Sequence, residues 1–96
     1  MAKKFELGEV VTTPRIRDKM KSDALFNHFI LTSLGRFKNG DWGECEPDDW
    51  LANADSVVDG NGRVFAKYKW YGTDDVVWII TEADHSVTTV LFPDEY

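Results

Sequence analysis

The sequence predicts an α+β fold in which N-terminal helices pack on a C-terminal three-stranded antiparallel meander. Three observations lead there. Apolar residues recur at helical spacing as far as Val58, the period drops to two after Gly62, and the connections between the later apolar runs are too short for anything but antiparallel neighbours.

The opening apolar residues Phe5, Leu7, Val10 and Val11, with Gly8 among them, suit either a short N-terminal strand or a packed arm. Thr13-Pro14 is a helix start, because the threonine oxygen accepts from an orphan N–H and proline at the first helical position forfeits no bond. Ile16 and Met20 then share one face among Arg15, Arg17, Lys19 and Lys21. Ser22-Asp23 is a second start signal. Leu25 or Phe26, Phe29, Ile30, Ser33 or Leu34, and Phe37 keep the period that marks the main helix, 23–37. Segments 14–21 and 23–37 are either one bent helix or two, since serine is tolerated inside a helix as well as at its cap.

Pro47, preceded by Glu46 and followed by Asp48 and Asp49, opens a third helix whose first-turn carboxylates complement the helix dipole. It runs to about Val57 with Trp50, Leu51, Ala54 and Val57 or Val58 expected inward, and Asp59-Gly60-Asn61-Gly62 stops it. Beyond Gly62, Val64, Ala66, Tyr68 and Trp70 alternate with Phe65, Lys67 and Lys69, and two further apolar runs follow across short polar turns. These give strands over 63–70, 76–82 and 86–92. A chain of 96 residues supports one core and not two, so 1–96 is expected to form a single α+β domain.

No apolar run approaches the ~20 residues that span a bilayer, and the residues after Met1 lack an apolar leader. A single cysteine, Cys45, allows no internal disulfide. Together these predict a cytoplasmic protein without membrane association. The net charge of −6 is unevenly spread: residues 1–38 carry eight Lys/Arg against four acids, and residues 39–96 carry three against thirteen. Such a balance is poorly suited to wrapping nucleic acid, so no direct nucleic-acid binding is expected. It suits a protein partner with a basic surface.

The candidate binding residues are Asp41, Trp42, Glu44, Glu46, Asp48, Asp49 and Trp50, where carboxylates surround two tryptophans without an intervening base. A partly exposed tryptophan among carboxylates is a suitable interface anchor. The same acids do not follow the spacing of a calcium loop, and His28 has no second histidine or cysteine at ligand distance, so no metal and no cofactor are expected. Glu44 and Glu46 flank Cys45 and disfavour a thiolate there.

One group offers catalysis instead. Glu82, Asp84 and His85 share a strand-connecting turn, and general acid–base chemistry needs such groups around one substrate proton. The turn and the strand after it resemble the final hairpin of barnase-type ribonucleases, where a histidine is the general acid. The arginines that would hold a phosphate are missing nearby, leaving only Lys67 and Lys69. A small nuclease or toxin using 82–85 is therefore the alternative to a non-enzymatic binding protein.

Leu34-Gly35-Arg36-Phe37, Gly40-Asp41-Trp42-Gly43, Asp49, Asn53 and above all the run from Val77 to Tyr96 resemble a family of short uncharacterised proteins of bacterial plasmids and integrative mobile elements. Some members carry the label "type I restriction endonuclease subunit M", but a methylation subunit needs a cofactor domain much larger than this chain. Members commonly have arginine where this chain has His85, which weighs against a catalytic histidine. The resemblance implies a setting in which small acidic proteins block host restriction or CRISPR nucleases by occupying their basic nucleic-acid channels. It points to a non-enzymatic host-defence inhibitor of anti-restriction or anti-CRISPR type.

Overall fold

A computed structural model describes residues 7–96, so Phe5 lies outside the described residues. The elements are β1 (Glu9–Thr12), α1 (Pro14–Ser22), α2 (Ala24–Lys38), α3 (Pro47–Asp59), β2 (Val64–Lys69), β3 (Val76–Thr81) and β4 (Val87–Leu91), with a short 3-10 turn at Pro93–Glu95. The meander is present: Ala66 lies opposite Ile79, and Ile79 opposite Val90, in antiparallel register. The sheet is not three-stranded, however. β1 adds a fourth strand beside β4 and parallel to it, in the order β1-β4-β3-β2.

Gly8 makes that pairing feasible. Its φ of +66° brings the chain so close to Ser86 that a Cβ would sit 2.3 Å from the Ser86 carbonyl oxygen, which accepts the Glu9 N–H at 2.9 Å. Two buried threonines then tie β3 and β4 to the segment that leads into β1. The Thr88 hydroxyl donates to the Leu7 carbonyl at 2.6 Å, so the 2.7 Å contact between Thr81 and Thr88 carries the Thr81 proton.

α1 and α2 are separate helices. Asp23 divides them in an extended conformation, donating its N–H to Lys19 and accepting with one carboxylate oxygen from the N–H groups of Leu25 and Phe26, both at 3.1 Å. Thr13 caps α1 by accepting from the Ile16 N–H. Ile16, Phe26, Ile30 and Phe37 are fully buried against Val64, Ala66, Tyr68, Val77, Ile79 and Val90, which forms the core on one face of the sheet. Of the alternatives at each turn of α2, Phe26 and Ser33 face inward, whereas Leu25 is exposed.

α3 departs from the expected facing at Leu51, whereas Val57 is buried and Trp50 and Ala54 pack against the core as expected. Leu51 and Val58 are each 67% exposed, and the buried positions are Asn53 and Val57. The reason is that α3 flanks the open edge of β2 rather than covering a purely apolar surface. The Asn53 amide donates to the Phe65 carbonyl at 2.6 Å and accepts the Phe65 N–H at 3.0 Å, standing in for a neighbouring strand. Glu44 donates its N–H to Lys67 at 2.8 Å and extends the cover along the same edge. Among the described residues no helix is long and apolar enough to cross a membrane.

Candidate functional site

The structure divides the predicted binding residues into a framework and a surface. Asp41 belongs to the framework. Arg36 donates to both its carboxylate oxygens, at 2.7 and 3.1 Å, and the Gly43 N–H adds a bond at 3.2 Å. The Arg36 bonds, with the Gly43 N–H helping, hold the Asp41 carboxyl below the usual carboxylate range. The Asp41 carbonyl accepts the Tyr68 hydroxyl at 2.6 Å, and burial pushes that phenol's pKa well up. Trp42 is 6% exposed and packs edge-on against Trp50 with centroids 5.3 Å apart. Its indole N–H is buried without an acceptor among the described residues. Gly43, at φ +66°, passes so near β2 that a Cβ would stand 2.0 Å from the Lys67 oxygen. These contacts place the expected anchor, Trp42, inside the protein.

The remaining acids are on the surface. Glu44 accepts the Tyr71 hydroxyl at 2.8 Å, Glu46 precedes α3 without a side-chain capping bond, and Asp48 and Asp49 occupy its first turn. The helix repeat then aligns members that lie apart in sequence: Asp48, Asp55 and Asp59 share the exposed side with Leu51 and Val58. The signal for Asp55 and Asp59 was the same helical spacing that marks the core, applied to charges instead of apolar residues.

Charge pairing sharpens the asymmetry. Arg15, Arg17, Lys19 and Arg36 form ion pairs with Asp94, Asp18, Asp75 and Asp41. Among the described residues Glu44, Glu46, Asp48, Asp49, Asp55 and Asp59 form none. The basic first third thus uses several of its cations in ion pairs, while among the described residues the acids of α3 form none.

The 82–85 turn brings Glu82, Asp84 and His85 together as the sequence implies, but much of their hydrogen bonding shapes the turn. Asp84 accepts the Ser86 hydroxyl at 2.6 Å and the Ser86 N–H at 3.0 Å, which keep its carboxyl below the ordinary range. His85 takes a left-handed φ of 58°, and its Nε2 lies 2.9 Å from the Gly62 carbonyl, a separation that requires the proton on that nitrogen. In return the Gly62 N–H donates to Ala83 at 2.9 Å, so the two turns clasp each other. Thr81 pairs with Val64, which leaves Lys67 three residues, roughly 10 Å, farther along β2. Lys67 and Lys69 are therefore carried away from the turn.

Cys45 donates its thiol to the Phe65 carbonyl at 3.4 Å, and burial raises its pKa, so the group stays protonated at neutral pH. Among the described residues no group of three His, Cys, Asp or Glu side chains is placed to hold a metal ion. No family model, curated protein or solved structure matches this chain.

Proposed function

We propose that this chain is a non-enzymatic binding protein that presents the outer side of α3 to a basic protein surface. The observation that carries this reading is the joint exposure of Leu51 and Val58 among the carboxylates Asp48, Asp55 and Asp59, which form no ion pair among the described residues. Two aliphatic side chains two turns and about 10 Å apart supply apolar contact, and the carboxylates form a charged rim that steers and orients a cationic partner. The resemblance to mobile-element proteins favours one class of partner, a host defence protein whose basic channel ordinarily receives nucleic acid. A row of carboxylates along one helix face imitates a row of phosphates there.

The nuclease reading has weaker support, because the His85 proton and an Asp84 oxygen are engaged within the turn that holds them. A capture experiment from bacterial lysate separates the two. A partner held at low salt, released at high salt, and lost with both Leu51→Ala and the triple variant Asp48→Asn/Asp55→Asn/Asp59→Asn supports the α3 face. A partner retained by both variants excludes it.

A further inference from the structure

The three bases of residues 39–96 are Arg63, Lys67 and Lys69, and they recur at every second or fourth position along one strand. In β2 that spacing turns Lys67 and Lys69, with Phe65, to the face of the sheet opposite the helices, and Arg63 immediately precedes the strand in the same alternation. Lys67 stands directly across from Trp78, and Phe65 across from Ile80. The Phe65 and Tyr96 rings meet the Trp78 indole at 88° and 64°, with centroids 5.1 and 5.6 Å away. Rings so inclined do not lie flat as a single sheet. With Arg63 and Ile80 they bound a recess of about 260 Å³.

The recess is held in shape. Glu95 accepts the Phe92 N–H at 2.8 Å and the Thr13 hydroxyl at 2.9 Å, fixing the turn that lays Tyr96 on Trp78. Arg63 donates to the Tyr96 hydroxyl at 2.8 Å and stands over its ring, which puts a cation at the rim. Among the described residues none of the three bases is in an ion pair.

An aromatic-walled recess with a cation at its rim fits a flat ring that carries an anionic group. A cationic ligand would meet Arg63, and a plain aliphatic one would leave it unused. Lys67 and Lys69, two residues and about 7 Å apart along the strand, add places for further anions in sequence. Glu82 stands one step past the Val64–Thr81 pair, beside Arg63, so the attraction for anions centres on the two lysines. We propose that this outer sheet face binds single-stranded nucleic acid, with one unstacked base in the Phe65–Trp78–Tyr96 recess and phosphates along β2. A duplex cannot present a base this way, since both faces of each base are stacked. The whole-chain charge led to no expectation of direct nucleic-acid binding, and the proposal departs from it because the local sign is reversed on this one strand. This site uses none of the α3 residues, so it stands or falls separately from the reading above.

The test is fluorescence anisotropy of a labelled, mixed-sequence single-stranded oligonucleotide at about 50 mM salt, a level at which phosphate contacts are strong. The expected result is binding at least tenfold tighter than to the duplex of the same sequence. Trp78→Leu should weaken it about tenfold, the loss of one stacked base. Tyr96→Leu, at an exposed position, should act in the same direction with less risk to the fold. Lys67→Gln with Lys69→Gln should lower the salt slope by about 1.4, at about 0.7 for each single-strand phosphate contact. Four outcomes overturn the proposal: no binding to the single strand, equal binding to the duplex, equal affinity for a mononucleotide, or equal affinity for an acidic aromatic peptide.

Discussion

Replacing Asn53 by alanine should unclamp α3 from the sheet and cost about 2–4 kcal/mol. Asn53 is 3% exposed, and its amide makes two bonds to Phe65, at 2.6 and 3.0 Å. Each such bond contributes roughly 0.5–1.5 kcal/mol net, and a buried partner left unpaired adds a penalty of about 1–3 kcal/mol. Here the penalty falls mainly on the Phe65 N–H. The Phe65 carbonyl keeps the Cys45 thiol as a weaker donor, which holds the total below the sum of two full penalties. Against a total stability of about 5–15 kcal/mol the loss is large, corresponding to a fall in Tm of roughly 10–25 °C for a chain of this size. Urea titration gives the free energy, and amide hydrogen exchange at Phe65 gives the location. Asn53→Asp should not rescue, because a carboxylate still accepts the N–H but has no proton for the carbonyl. A loss below about 0.5 kcal/mol, or unchanged exchange at Phe65, would refute the clamp and with it the placement of the α3 face.

The remaining predictions concern facing, pH and the alternative chemistry. Ile79→Ala, at a fully buried position, should cost about 2–5 kcal/mol, whereas Leu51→Ala should stay within about 0.5 kcal/mol; comparable losses in paired urea titrations would mean that α3 faces the other way. Asp41, whose carboxyl Arg36 holds low, contributes stability that is present above the unfolded value of about 3.9 and is lost as pH falls through the lower folded value. Asp41→Asn should therefore destabilise at pH 7 and progressively less below about pH 4, and an equal cost at both ends would contradict the pairing. His85→Ala should cost about 1 kcal/mol through the lost bond to Gly62, with no RNA or DNA cleavage to abolish. Hydrolysis by the purified wild-type protein that this substitution removes would restore the nuclease reading.

How legible the molecule was depended on how local each signal is. Thr13-Pro14 marks a helix start by a capping bond and Pro47 by a proline at the first helical position, signals that operate within a few residues, and both helices begin there. The strands β2, β3 and β4 carry their own period of two, and short turns leave only one way to pair them. The parallel partner of β1 had no such signal, because it depends on the approach of Gly8 to Ser86 across most of the chain. The facing of α3 was read correctly at Trp50, Ala54 and Val57 and misread at Leu51, which was counted as core on grounds of hydrophobicity alone. Trp50, Asn53 and Val57 form an equally regular helical stripe, and the structure buries Asn53 and Val57 from it because a strand edge needs a donor and an acceptor. Trp42 was expected to anchor a partner and is buried instead, since Gly43 brings the 41–45 segment hard against β2. The acids at 44–49 were visible as a run, whereas Asp55 and Asp59 join them only through the turn of the helix.

The central claim is that the α3 face meets a basic protein surface through steering carboxylates and two exposed aliphatic side chains. It is tested most directly by the association and dissociation rates of the captured partner at two ionic strengths. For Asp48→Asn/Asp55→Asn/Asp59→Asn the account predicts association slowed roughly tenfold at low salt with a flatter salt dependence, because screening removes the long-range term that these charges supply. For Leu51→Ala it predicts an unchanged association rate and faster dissociation. Association rates and salt slopes identical to wild type in the triple variant would contradict it and move the interface elsewhere on the molecule.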